Sequence, residues 1–139
     1  MIPLDTTIEG KKAYFGETRR LLKKYGYALC GNWEYDRGKF DTVLWREGGE
    51  TIYLRIPFTV LEGNLDENRA YIEFNQPYLV KHVVNVGIDW DESALLTVAG
   101  FAQFQKPLDP DGHIDNRSRW KQIGEEHIGE VLNTIRVFE

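Results

Sequence analysis

The chain has 139 residues, a formal net charge of −5, 28% charged and 42% hydrophobic residues, the size and mix of a single globular domain covering residues 1–139. One cysteine, Cys30, excludes an internal disulfide framework and a multi-cysteine zinc site. No apolar run approaches the roughly 18 residues that span a bilayer, and Met1 to Asp5 lacks the basic and apolar regions of a secretion signal, so a cytoplasmic protein without a membrane partner is expected.

The first predicted element is a helix from about Ala13 to Tyr25, where Tyr14, Thr18, Leu21, Leu22 and Tyr25 recur at helical spacing. Gly26 stands where a left-handed C-cap belongs, behind Lys23 and Lys24, which suit the negative end of the helix dipole. From Tyr27 the period becomes two, Leu29, Gly31, Trp33 and Tyr35 alternating with Cys30, Asn32, Glu34 and Asp36. Arg37-Gly38 then offers a turn before Phe40, Val43 and Trp45. Gly48-Gly49 is the sharpest hairpin signal, because a two-residue primed turn needs positive φ at both positions.

Ile52, Leu54, Ile56 and Phe58 alternate with Tyr53, Arg55, Pro57 and Thr59, a strand with one buried face, and Pro57 places its far half on an edge or at a bend. After a turn at residues 63–68, Tyr71 to Phe74 forms a strand that Gln76-Pro77 interrupts. Further extended segments are expected through Val83, Val84, Val86 and Ile88, and from Leu95 to Gln105. Residues 106–115 read as a loop. A last helix of about twenty residues carries Trp120, Ile123, His127, Ile128, Val131, Leu132 and Ile135 in one stripe, with Asp115 or Asn116 as N-cap. The pattern is α+β: an antiparallel meander of five to six strands with an N-terminal and a C-terminal helix packed on one face.

At residues 31–41, Gly-Asn-Trp-Glu-Tyr-Asp-Arg-Gly-Lys-Phe-Asp, the chain resembles the YugN-like family of uncharacterised small proteins from bacilli. Supporting stretches are residues 53–58 (Tyr-Leu-Arg-Ile-Pro-Phe), 77–79 (Pro-Tyr-Leu) and 101–107 (Phe-Ala-Gln-Phe-Gln-Lys-Pro), so the likeness covers almost the full length. The resemblance implies a soluble cytoplasmic bacterial protein with an α+β fold. It brings no activity, cofactor or catalytic residue with it.

The residues remove most chemistries. None of the thirteen glycines makes Gly-x-Gly, and Gly26 and Gly31, at P-loop spacing, are followed by Asn32-Trp33 where Lys and Ser or Thr are required. His82, His113 and His127 stand far apart, with no pair that would place two imidazoles on one element. Asp109, Asp111 and Asp115 flank Gly112 but fail the EF-hand spacing, and a turn explains them. Ser93 and Ser118 lie in no nucleophile elbow, His127 reads as a packed helix residue, and Cys30 reads as a buried structural thiol. No metal, cofactor or catalytic residue is assigned.

One surface carries the remaining interest. If Ile52, Leu54 and Ile56 face the helices, the opposite side holds Glu34, Asp36, Tyr53, Arg55, Glu73 and Gln103, with Arg55 able to pair a carboxylate across strands. It fits a solvated face, a homodimer or partner surface, or a ligand or catalytic site; aromatic and Arg enrichment favours an interface core over a site.

Charge is unevenly distributed, +3 over residues 1–30 and −8 over the rest. Arg19, Arg20, Lys23 and Lys24 form a basic patch too small, on an acidic chain, to favour nucleic acid. The last helix runs against its dipole, with Arg117, Arg119 and Lys121 first and Glu125, Glu126 and Glu130 after; those glutamates are expected to face the basic first helix. The resulting expectation is a non-enzymatic cytoplasmic domain that acts through protein association as a homodimer. The alternative is a small-molecule-binding protein or unrecognised enzyme built on Glu34, Asp36 and Arg55.

Overall fold

The computed structural model describes residues 1–30, 36–63, 69–83 and 114–139. Within them the chain forms seven strands and two helices: β1 (Ile2–Pro3), β2 (Lys12–Tyr14), α1 (Phe15–Lys24), β3 (Ala28–Cys30), β4 (Arg37–Glu47), β5 (Glu50–Glu62), β6 (Tyr71–Phe74), β7 (Tyr78–Val83) and α2 (Arg117–Thr134). The α+β class is as expected, and every strand pairing is antiparallel. The strand count exceeds five to six because β1 and β2 are two and three residues long, too short to show a period. The extended segments anticipated at residues 84–88 and 95–105 lie outside the described residues.

The order is β1-β7-β5-β4-β3, with β6 also on β5 and β2 on β6, so the sheet is not a simple meander. Gly48 and Gly49, at φ 57° and 82°, close the β4–β5 hairpin as the primed turn requires. On its other side β5 has two partners end to end: Glu50 to Arg55 pair with β7, and Phe58 to Glu62 with β6. Pro57 sits at the junction, in a central strand instead of on an edge. Its carbonyl accepts from the Asn75 N–H at 2.9 Å on that side, so the N–H that proline lacks would have pointed into the seam, not at β4.

Arg37-Gly38 is strand, not turn. Gly38 lies opposite Phe58, and a Cβ on it would come within 2.7 Å of Phe58 Cζ. The glycine is there to admit an aromatic ring, and Phe58 in turn packs on Phe40 and Phe15 at centroid distances of 5.0 and 5.8 Å.

Both helices lie on the face of β5 that carries Ile52, Leu54, Ile56 and Phe58. Phe15 of α1 meets Phe40 and Phe58, Trp120 of α2 meets Trp45, and Gly124 of α2 sits against Leu4 and Leu79. α1 ends in a Schellman motif at Gly26 (φ 87°), with Gly26 N–H to the Lys23 carbonyl and Tyr27 N–H to the Leu22 carbonyl. Tyr14, read as the helix's first turn, belongs to β2 and is exposed; Phe15, Thr18 and Leu22 supply the buried face.

Asn116 occupies the N-cap of α2 in the left-handed region (φ 58°), but only its carbonyl takes part, accepting from Arg119 and Trp120. The inverted charges of α2 have a local cause. Arg117 donates to the Met1 carbonyl at 3.0 Å, Lys121 binds Asp5 at 2.6 Å, and Glu125 accepts the Asp5 N–H at 2.8 Å. The glutamates of α2 make no ion pair with α1 among the described residues, which corrects the expected contact between the two helices: the N-terminal segment takes that place.

Candidate functional site

The face of the sheet away from the helices is set by the hairpin register. Asp41 of β4 stands opposite Arg55 of β5, and Arg55 stands opposite Tyr78 of β7, one row across three strands. The next row holds Val43, Tyr53 and Val80. On the other side of the central row lie Cys30, Lys39 and Pro57. The rows are in phase only because the pairing slips between Val43 and Trp45, leaving Leu44 as an extra residue in β4.

Arg55 holds both carboxylate oxygens of Asp41, Nε to Oδ1 at 3.0 Å and Nη2 to Oδ2 at 2.9 Å, and is also hydrogen-bonded to the Tyr78 hydroxyl. The pair is well removed from water, with side-chain exposures of 7% for Asp41 and 16% for Arg55. Burial works against the guanidinium charge, but the bonds to Asp41 and Tyr78 outweigh it and raise the Arg55 pKa. The Cys30 thiol is pushed up by burial and by the Asp41 carboxylate, to which it is hydrogen-bonded, so at neutral pH it is a donor and not a nucleophile. It is half-buried on this face, not in the core where a structural thiol was expected. His82 packs edge-on against Tyr53 at 5.0 Å. Burial, then the Arg55 charge, lower its pKa.

Of the residues read from the sequence, Tyr53 and Arg55 are central to this face. Glu73 is opposite Thr59, about 13 Å along the strand from Arg55, and lies 3.8 Å from Lys12. Asp36 is exposed beside Arg37 at 4.0 Å. Its carbonyl accepts from Val60, so it stands five residues beyond Arg55 and its carboxylate does not join Arg55. Glu34 and Gln103 lie outside the described residues. The carboxylate that Arg55 pairs is Asp41, which the sequence reading missed together with Tyr78, His82 and Cys30. A signal existed: Phe40 is on the core side and so is Trp45, and residues of opposite parity can share a face only if a bulge lies between them.

Four of the six residues expected to form this surface thus do not reach its centre or fall outside the described chain, yet the fold that positions Asp41 and Arg55 has relatives. The model of the YugN-like family matches residues 3–135. The chain belongs to the YugN-like family. It is 32% identical over 135 residues to the uncharacterised protein YugN of Bacillus subtilis (strain 168), covering 97% of this chain and 98% of that one. It is also 32% identical over 89 residues to the uncharacterised protein YlbA of the same strain, 64% of this chain and 73% of that one. A crystal structure of the uncharacterised conserved protein YugN from Geobacillus kaustophilus HTA426 superposes with a TM-score of 0.57 at 22% identity, over 94% of this chain and 99% of that one. At that identity the likeness concerns the fold of the YugN-like chain alone. No helix among the described residues is long and apolar enough to cross a membrane, and no group of three or more His, Cys, Asp or Glu among them could hold a metal ion.

Proposed function

We propose that this YugN-like protein is a non-enzymatic cytoplasmic association domain that forms a homodimer through the face of its sheet opposite α1 and α2. The observation that carries the reading is the Asp41–Arg55 pair, desolvated on a face that neither α1 nor α2 covers. A buried, fully bonded ion pair adds little to stability and is best used to fix register. Around it stand the residue types that enrich interface cores, Tyr53, Tyr78 and the arginine itself, and Val43 beside Tyr53 is 44% exposed. The competing use, a small-molecule or catalytic site on Glu34, Asp36 and Arg55, has less support, since Arg55 already spends its donors on Asp41 and Tyr78 and Asp36 stands apart.

The test is the mass in solution. Light scattering on the full chain should give twice the 16.2 kDa chain mass, and Val43→Asp should return it to the monomer without lowering the thermal midpoint. A monomer at every concentration up to the millimolar range overturns the reading.

A further inference from the structure

We infer that the dimer is gated by pH through His82: two copies associate while the imidazole is neutral, and its protonation in both copies drives them apart. The inference rests on the sheet-face dimer proposed above. His82 stands opposite Thr51, in the row next to Val43, Tyr53 and Val80, and its ring meets Tyr53 edge-on at 5.0 Å. The charged groups around it are mostly cations. β4 brings Lys39, Asp41 and Arg46, the last reaching Thr51 Oγ1 at 3.4 Å. β5 brings Arg55 and the Tyr53 phenol, β7 the Tyr78 phenol, and β3 the Cys30 thiol. β1 has no charged side chain, but Met1 ahead of it carries the amino terminus toward Val80. Lys81, next in sequence, is held to Glu50 at 3.0 Å.

The one carboxylate on this part of the face, Asp41, already gives both oxygens to Arg55, at 3.0 and 2.9 Å, and accepts from the Cys30 thiol. An imidazolium at His82 therefore meets cations, with no carboxylate left to pair it among the described residues. Burial and the Arg55 charge already oppose its protonation in the single chain. A second copy deepens both effects. A two-fold axis sets the same surface against itself, so contact takes two imidazoles out of water at once and adds a second set of the same cations to the covered face. The dimer then binds protons less readily than two separate chains do. By linkage the dissociation constant rises as pH falls below the ordinary histidine value, by at most about a hundredfold per pH unit for two protons.

The experiment is sedimentation equilibrium of the full chain at pH 7.5, 6.5 and 5.5 and constant ionic strength, with circular dichroism on each sample. The dissociation constant should rise at least about tenfold from pH 7.5 to pH 5.5 while the dichroism of the folded chain is kept. His82→Asn should dimerise with a constant that stays level over the same range. If that variant does not fold, His82→Gln replaces it, and calorimetric dilution of the native dimer at pH 6.0 in buffers of different ionisation enthalpy should show proton uptake on dissociation. A dimer at pH 7.5 that is equally tight or tighter at pH 5.5, a neutral variant that keeps the pH dependence, dissociation without proton uptake, or loss of the fold before the mass halves overturns the gate and leaves the dimer standing. A monomer at pH 7.5 overturns the dimer, and the gate with it.

Discussion

Arg55 reaches across from β5 to hold both oxygens of Asp41 on β4, at 3.0 and 2.9 Å. Removing one partner of a buried pair leaves the other charge uncompensated, which costs about 3–5 kcal/mol. Arg55→Ala should therefore lower unfolding free energy by about 3 kcal/mol in urea titration, and the double variant Asp41→Leu/Arg55→Met should recover most of it. Equal losses in the single and double variants would mean the pair is not the coupled unit described.

The ring of Phe58 lies where a side chain on Gly38 would be. Gly38→Ala should cost about 1–3 kcal/mol through overpacking, read from the thermal midpoint, because Phe58 is itself wedged against Phe40 and Phe15 and has no room to yield.

Gly129 of α2 makes the opposite case. A Cβ there meets nothing within 4 Å, so Gly129→Ala should stabilise by about 0.5–1 kcal/mol through helix propensity alone. A loss of stability in the same thermal melt would show that something packs on that position.

Tyr27 has a buried hydroxyl without a hydrogen-bond partner, and burial together with the Glu130 charge raises its pKa. Tyr27→Phe removes an unsatisfied polar group and should raise stability by about 1 kcal/mol, measured by chemical denaturation at pH 7.

His82 sets a pH dependence. Burial and the nearby Arg55 and Lys39 charges oppose its protonation, only partly offset by Asp41, so its pKa in the folded chain is below the ordinary 6.5. The unfolded chain then takes up a proton that the folded one refuses, and this contribution, present above pH 6.5, is lost as pH falls through that value toward the lower folded one. Denaturation curves at pH 7.5 and 5.0 should separate further for the native chain than for His82→Asn.

Periodic features of the chain were legible from the residues: α1 with its Gly26 cap, the Gly48-Gly49 hairpin, the alternation of β5 and the apolar stripe of α2. What escaped has definite causes. β1 and β2 are shorter than any period they could display. Gly38 resembles a turn residue until Phe58 is known to lie over it. The Asp41–Arg55 pair depends on the one-residue slip at Leu44; counted back from the Gly48-Gly49 turn without it, Asp41 would face Ile56, and every side chain of β4 beyond the slip would change faces.

The ends of the chain meet at β2. Lys12 exchanges two backbone hydrogen bonds with Phe138, both at 2.7 Å, and Lys11 binds Glu139, 128 residues away. During synthesis β1 and β2 emerge before their partners β7 and β6, and the far edge of β2 emerges before Phe138. Such distant pairings close slowly because the loop entropy is lost before the contacts form. On the ribosome Ile2, Leu4 and Ile8, all buried in the finished fold, stay uncovered apolar surface until the later elements that pack on them, such as β7 and α2, have been made.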